Sequence, residues 1–174
     1  MTHPFDAMTA ALLALTERLE DLAGLLDRTT DFDYRWVPPG GVSGSVGAHV
    51  RHVLDHVGAL VGSERTGTIS YDHRQRDTAV EQSRLVGIAA LARAATDLRT
   101  RIGYWTERPV TLQTIVRRGA APHAVGSSLG REVVFVLQHT IHHQALIALL
   151  LNERGVELPT AFGYAPSTPL RAAS

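Results

Sequence analysis

Cysteine and lysine are both missing from this sequence of 174 residues, and each absence excludes a class of chemistry. Without cysteine the chain can form no disulfide, no thiolate metal site and no cysteine nucleophile. Without lysine it can form no Schiff base through a side-chain amine. All 17 basic side chains are therefore arginines, and they balance 17 acidic ones. Because no net field draws such a chain to nucleic acid, we expect no nucleic-acid partner.

Long hydrophobic runs are also missing. The first residues, Met1 to Asp6, lack the basic start and the continuous apolar stretch of a secretory signal. The most apolar stretch, Ala145 to Leu151, is far shorter than the roughly 20 residues that span a bilayer. We therefore expect a cytoplasmic protein without a membrane partner. Its hydrophobic fraction of 44% is ordinary for one globular domain, which we expect to cover residues 1–174.

Apolar residues recur at helical spacing in four stretches of the chain. Ser45, Thr78 and either Ser127 or Ser128 are suitable N-caps for the last three stretches, and Gly155 is a suitable stop for the fourth. The predicted helices run from Asp6 to about Asp27, from Ser45 to about Gly62, from about Ala79 to Ile102, and from about Leu129 to Arg154.

The segments between these helices predict loops and one β element. Residues 29–44 and 62–77 are polar or rich in glycine and proline, which is typical of loops. Alternate aromatic residues in the first loop, Phe32, Tyr34 and Trp36, are expected to pack it onto the helices. Residues 110–116 alternate and are β-branched, which predicts a short strand or hairpin arm between the third and fourth helices. The fold class is therefore all-α, a four-helix bundle with a small β element.

Histidines carry the most information about function. Six of the nine lie on two of the predicted helices: His49, His52 and His56 on the second, and His139, His142 and His143 on the fourth. Because His139 and His143 are four residues apart, their side chains project from one helix face, one turn apart. Two imidazoles in this arrangement can bind one divalent metal ion.

The three histidines of the second helix follow the spacing i, i+3, i+7 along one side of that helix. Facing helices of a bundle contribute inward side chains to a shared central site. One of these histidines, together with His139 and His143, makes a three-histidine site, which leaves positions open for water or substrate. His49 and His56 lie nearer the centre of the apolar stripe, whereas His52 lies at its edge, where it suits a site at the open end of the bundle. The spacing leaves the choice open.

Two segments resemble motifs of the DinB-like (DinB/YfiT) superfamily, a set of metal-binding four-helix bundles. The second-helix motif of that family is similar to residues 45–56 (SVGAHVRHVLDH), and its fourth-helix HxxxH motif is similar to residues 138–144 (QHTIHHQ). The order and separation of the motifs also match, so the resemblance covers nearly the whole chain. It implies His52 as the ligand from the second helix, because the family's ligand precedes an apolar-x-Asp-like step. It implies His139 and His143 as the other two ligands.

The resemblance also implies a cofactor and a reaction class. The superfamily includes transferases and isomerases that use bacillithiol, mycothiol or glutathione, with zinc or nickel often bound. Iron occurs in related sulfoxide synthases with an HxxxHxE motif, but Ala145 replaces that glutamate here. We therefore expect a divalent ion, zinc or nickel ahead of iron. We expect an enzyme of the S-transferase or hydrolase-like type that acts on a small-molecule substrate, with a low-molecular-weight thiol as the favoured cosubstrate.

The sequence leaves open a rival function, the roles of helper residues and the oligomeric state. The rival to an enzyme is a non-enzymatic metal-binding or interaction module, in which His49 or His56 supplies a fourth ligand and closes the site. In the enzyme, Asp55 can orient an imidazole, and His49, His56 or His142 can carry a proton. The apolar face of the fourth helix is a candidate homodimer interface.

Overall fold

The computed structural model describes residues 7–40, 44–72 and 78–169. Within these ranges the chain forms six helices and three strands. The helices are α1 (Ala7–Asp27), α2 (Asp31–Arg35), α3 (Val46–Thr66), α4 (Ala79–Gln82), α5 (Arg84–Arg99) and α6 (Leu129–Glu153). The strands are β1 (Thr68–Ser70), β2 (Pro109–Thr114) and β3 (His123–Ser128).

Four long helices, α1, α3, α5 and α6, form the predicted bundle. Helix α1 packs against α5 and α6, and α3 packs against α6 and α5. Leucines of α1, valines of α3 and aliphatic residues of α6 fill the core between them. Each fully buried side chain of this kind stabilises the fold by about 1.5–3 kcal/mol, so burial fixes which faces of α3 and α6 meet. The prediction of a four-helix bundle is confirmed.

A three-stranded sheet lies beside the bundle and leads into the first turn of α6. Strand β2 corresponds to the predicted strand, and it pairs with β3 as an antiparallel hairpin. Strand β1 pairs with β2 in parallel and lies in the segment 62–77 that the sequence predicts as a loop. The hairpin ends at Ser128, whose side chain accepts a hydrogen bond from the Arg131 amide and so caps α6. The sheet thereby fixes where the longest helix begins.

Two further predicted segments differ from the structure. The segment 29–44 contains the helix α2, which a reciprocal capping box between Thr30 and Asp33 stabilises. The third predicted helix is broken at Ser83, which has an extended backbone and caps α5 by accepting from the Val86 amide. Leu85, two residues after the break, is 63% exposed.

Helix α6 is more apolar than the sequence analysis expected. By length and composition alone it is able to cross a membrane, although buried core helices of soluble proteins pass the same test. In the structure α6 packs along α1 and α3, and it carries the fully buried carboxylate of Glu132. The core that α6 helps to fill accounts for part of this apolar character, since 44% of its most apolar window is buried.

Candidate metal centre

Helices α3 and α6 bring five histidines into one cluster. His49, His52 and His56 come from α3, and His139 and His143 come from α6. The spacings of three and four residues place each set on one face of its helix, and the packing of α3 against α6 turns these faces toward each other. His49, His56 and His143 are buried, whereas His52 and His139 are half-buried. Solvent therefore reaches the cluster on the side of His52 and His139.

The three residues predicted as ligands have their Nε2 atoms close together. The Nε2 atom of His139 lies 3.0 Å from that of His52 and 3.1 Å from that of His143. Two nitrogens that each lie about 2.0–2.1 Å from one zinc ion, at roughly 90–110°, are roughly 2.9–3.4 Å apart. Each of these two distances is therefore compatible with a pair of ligands on one ion. The assignment of these three residues as the ligand set stays a prediction.

The rings of these three residues are steeply inclined to one another. The planes of His52 and His139 make an angle of 67°, those of His139 and His143 72°, and those of His52 and His143 73°. An imidazole nitrogen holds its lone pair in the plane of the ring, so rings that bind one ion need planes that intersect near it. The steep angles between these three rings are compatible with this condition.

His56 offers a second grouping. Donor atoms of His52, His56 and His139 all lie within 4.8 Å of one another, so these three residues can also hold a metal ion. The Nδ1 atom of His56 lies 3.0 Å from the backbone oxygen of His52, which leaves its Nε2 atom for other partners. The ring of His56, however, is stacked on that of His139, with centroids 4.1 Å apart and planes at 26°. Planes so nearly parallel intersect far from both rings.

His49 contacts the cluster from behind His143. Its Nδ1 atom lies 3.0 Å from the Nδ1 atom of His143, on the side of that ring away from the Nε2 contact with His139. The side chain of His49 is only 6% exposed, and its Nε2 atom has no hydrogen-bond partner among the described residues. His49 therefore touches a predicted ligand through that ligand's second nitrogen.

The electrostatics of the cluster favour the neutral form of two of its imidazoles, those of His143 and His49. Burial, and then the neighbouring imidazoles of His139, His52 and His49, lower the pKa of His143 to about 2. Burial, and then the nearby His142, also lower the pKa of His49. Because a neutral imidazole keeps a lone pair, the protein maintains metal-binding forms of these residues near neutral pH.

Two aromatic residues line the site. The sequence pattern did not identify either of them as part of it. Tyr71 stacks flat on His56, with centroids 4.8 Å apart and planes at 5°. Phe135 stacks on His139 at 5.6 Å and contacts Tyr71 at 5.1 Å. Phe135 lies four residues before His139 on α6, so the helical spacing contained a signal for it, whereas Tyr71 follows β1 and is placed by the sheet.

A buried carboxylate anchors Tyr71. Glu132 is fully buried, and its oxygens accept from the Tyr71 hydroxyl at 2.9 Å, the Ser127 hydroxyl at 2.6 Å and the Arg131 guanidinium at 2.6 Å. Burial and the charge of Glu132 raise the pKa of Tyr71, so this phenol stays protonated as a hydrogen-bond donor. Glu132 thus holds the Tyr71 ring in place against His56.

Two helper residues considered from the sequence lie at the margin of the cluster. The Asp55 carboxylate accepts from Arg51 at 2.8 Å, and Arg51 also pairs with Glu81 at 3.0 Å. His142 is exposed, with its ring centroid 5.2 Å from that of His143. His142 therefore lies on the solvent-exposed margin of the cluster, beside His143.

A protein-family model described as the DinB superfamily matches residues 14–147 of the chain. The chain is also similar to a protein of Rhizopus delemar named FK506-binding protein 5, with 30% identity over 101 residues. That alignment covers 58% of this chain and 26% of the fungal protein, so the chain spans about a quarter of that relative's length. No solved structure matches the chain.

Proposed function

The chain belongs to the DinB superfamily, and from this premise we propose that it is a metal-dependent enzyme that acts on a small molecule with a low-molecular-weight thiol as cosubstrate. In this proposal His52, His139 and His143 hold one divalent ion between α3 and α6. The observation that carries the proposal is the approach of their three Nε2 atoms, at 3.0 and 3.1 Å from the central one.

The donor set supports particular metals. Three neutral imidazoles suit zinc, nickel and iron, and hard oxygen-seeking ions such as magnesium prefer carboxylates and water. We therefore propose zinc or nickel as the resident ion, with iron as the next candidate. Three protein ligands leave one or more positions open, which is the arrangement of catalytic sites.

When bound, such an ion supplies a Lewis acid that lowers the pKa of a coordinated thiol or water and so makes a nucleophile available near neutral pH. The protein holds the three imidazoles in place by burying His143 and by stacking Phe135 on His139. The half-buried rings of His52 and His139 leave an approach for the reactants. Because the chain has no cysteine, any sulfur nucleophile has to come from a cosubstrate.

The ring geometry favours His143 over His56 as the third ligand. The near-parallel stacking of His56 on His139 directs their lone pairs along separate planes, whereas the planes of His139 and His143 cross at 72°. We propose that His56 is not a ligand and instead helps to hold His52 in place. The Nδ1 atom of His56 lies 3.0 Å from the backbone oxygen of His52.

A second candidate function follows from the proximity of His56 to His52 and His139. If His56 joins the other three histidines, the ion has four protein ligands, which is typical of a structural site rather than a catalytic one. The protein is then a non-enzymatic metal-binding module. The grouping of His52, His56 and His139 donors within 4.8 Å is the observation that favours this candidate.

The metal content of histidine variants tests which of these residues bind the ion. We expect untagged protein to contain close to one equivalent of zinc, nickel or iron by plasma mass spectrometry, and we expect His52→Ala and His143→Ala to lose it. His56→Ala is expected to retain the metal, and His123→Ala, on the exposed strand β3, serves as the control for removal of any histidine. Loss of metal in His56→Ala with retention in His143→Ala would overturn the proposed ligand set.

The thiol cosubstrate is tested on the cobalt-substituted protein. Glutathione, mycothiol and bacillithiol are added in turn, and we expect one of them to produce a thiolate-to-cobalt charge-transfer band in the near ultraviolet. If all three thiols leave the spectrum of a cobalt-loaded protein unchanged, the thiol proposal fails. The metal site then survives as a closed site or as one that activates water.

A further inference from the structure

We infer that His49 is a positioning residue for the metal site, which orients the predicted ligand His143 by accepting a hydrogen bond from it. This inference rests on the proposed function, since it takes His143 as a ligand. The family resemblance selects His52 on the same helix and gives no role to His49, so the inference depends on the contacts of His49 alone.

Metal binding by His143 would fix where the protons of this contact lie. Nitrogen atoms 3.0 Å apart, as in the Nδ1 atoms of His49 and His143, share one proton in a hydrogen bond. If His143 uses Nε2 to bind an ion, that nitrogen has to carry a free lone pair, so its proton is on Nδ1. His143 then donates through Nδ1, and His49 accepts through Nδ1 and carries its own proton on Nε2.

Such a hydrogen bond is the usual support of a histidine ligand. A ligating imidazole generally donates its second N–H to a carboxylate, a carbonyl or water, and this bond fixes the ring orientation and raises the basicity of the ligand. Here the acceptor is another imidazole. Because His49 is on α3 and His143 is on α6, the bond also ties together the two helices that contribute the ligands.

The burial of His49 does not by itself account for a histidine at this position. Its side chain is 6% exposed, and its Nε2 atom is buried with no hydrogen-bond partner among the described residues. An unpaired buried polar group is destabilising, so an apolar side chain of similar volume suits this position at least as well. Packing alone therefore gives no reason for a histidine here, whereas the hydrogen bond to His143 does.

His49 is not placed as a ligand of the same ion. Its Nδ1 atom faces the nitrogen of His143 that points away from the Nε2 contact with His139. It thus lies on the far side of the His143 ring from the proposed ion and acts through that ring.

Two substitutions separate positioning from packing. His49→Leu keeps a similar volume but removes the acceptor, and His49→Asn keeps an oxygen acceptor near the position of Nδ1. We expect His49→Leu to lower the zinc affinity about 10–100-fold, measured by competition with a chromogenic chelator at constant pH. We expect His49→Asn to stay within about 3-fold of the wild type and to restore its cobalt d–d spectrum, which His49→Leu alters. Thermal unfolding of the metal-free proteins establishes that both variants fold.

Each outcome bears on one of the two proposals. If the wild type binds no zinc or cobalt, the proposed function fails, and this inference fails with it. If the wild type binds metal and His49→Leu binds it with equal affinity and an unchanged spectrum, only the role of His49 is overturned. Equal loss of affinity in both variants also overturns it, since the acceptor oxygen of asparagine would then fail to replace the imidazole.

Discussion

Asp33 is a nearly buried carboxylate whose charge is stabilised at one end of the bundle. The Thr30 hydroxyl donates to it at 2.6 Å, and Arg154 of the α6 C-cap donates at 3.1 Å. The hydrogen bond from Thr30, together with Arg154, lowers the pKa of Asp33 below its ordinary value despite the opposing effect of burial. A folded-state pKa below the unfolded value means that the ionised carboxylate stabilises the fold above the unfolded pKa. This contribution is lost as the pH falls through the folded pKa.

The substitution Asp33→Asn tests this at the scale of one residue. We expect the free energy of unfolding near pH 7 to fall by about 1–3 kcal/mol, because a charged hydrogen-bond acceptor is lost. The difference from wild type should shrink as the pH is lowered below about 4, where the unfolded carboxylate is protonated. Urea unfolding at several pH values measures it, and a difference that does not change with pH would contradict the assignment.

A control lies two residues away in the same short helix. The side chain of Asp31 is 64% exposed, and it forms an ion pair with Arg84 at 3.5 Å. Exposed pairs contribute about 0–1 kcal/mol, so Asp31→Asn is expected to change stability much less than Asp33→Asn.

Single residues were predictable from the sequence to different extents. The HxxxH spacing identified His139 and His143 as a pair, because helical periodicity places residues four apart on one face. It did not distinguish His49, His52 and His56, since the rotation of α3 about its axis depends on packing against α6 and not on the spacing of its own residues. The resemblance selected His52, and the structure places its Nε2 atom 3.0 Å from that of His139.

At the scale of elements, α3 passes so close to Tyr34 and α4 that one of its residues has to be glycine. A Cβ atom on Gly47 would overlap the Glu81 carbonyl oxygen and lie 2.7 Å from the Tyr34 ring. We expect Gly47→Ala to lower the free energy of unfolding by about 1–3 kcal/mol, as overpacked core substitutions do. Chemical denaturation of the two proteins measures this difference.

The same helix provides a matched control. A Cβ atom on Gly58 meets nothing within 4 Å, and the residue is exposed. Gly58→Ala should therefore raise stability by about 0.5–1 kcal/mol, because alanine is the better helix former. If both substitutions shift stability in the same direction, the close approach of Tyr34 is not what requires glycine at position 47.

Long elements were predictable, whereas the short ones, apart from β2, were not. The periodicity of apolar residues gave α1, α3 and α6 nearly to their ends, because each buries one continuous stripe. The periodicity failed at Ser83. In a continuous helix the Val80 carbonyl would accept from the amide of residue 84, but here it accepts from the Tyr34 hydroxyl at 2.7 Å. Strand β1 escaped prediction because three residues carry no periodicity, and its hydrogen-bond partner is about 40 residues further along the chain.

At the scale of the whole molecule, the proposed metal site connects distant parts of the chain. His52 and His139 are 87 residues apart in sequence and come from two different helices of the bundle. The unfolded chain does not hold these residues together, so an ion that binds all three ligands binds the folded state far more tightly. Metal binding is therefore expected to stabilise the entire bundle.

This linkage predicts a shift in thermal unfolding. With free zinc at about 100 times its dissociation constant, the folded state gains about 2.7 kcal/mol, and any binding to the unfolded chain reduces this gain. For a domain of this size that corresponds to a rise in Tm on the order of 5–10 °C. Differential scanning calorimetry of metal-free protein, with and without zinc, measures the rise, and excess chelator should reverse it. His52→Ala and His143→Ala should show almost none of it, whereas His123→Ala should show all of it. A rise as large in His52→Ala as in the wild type would place the ion elsewhere on the molecule.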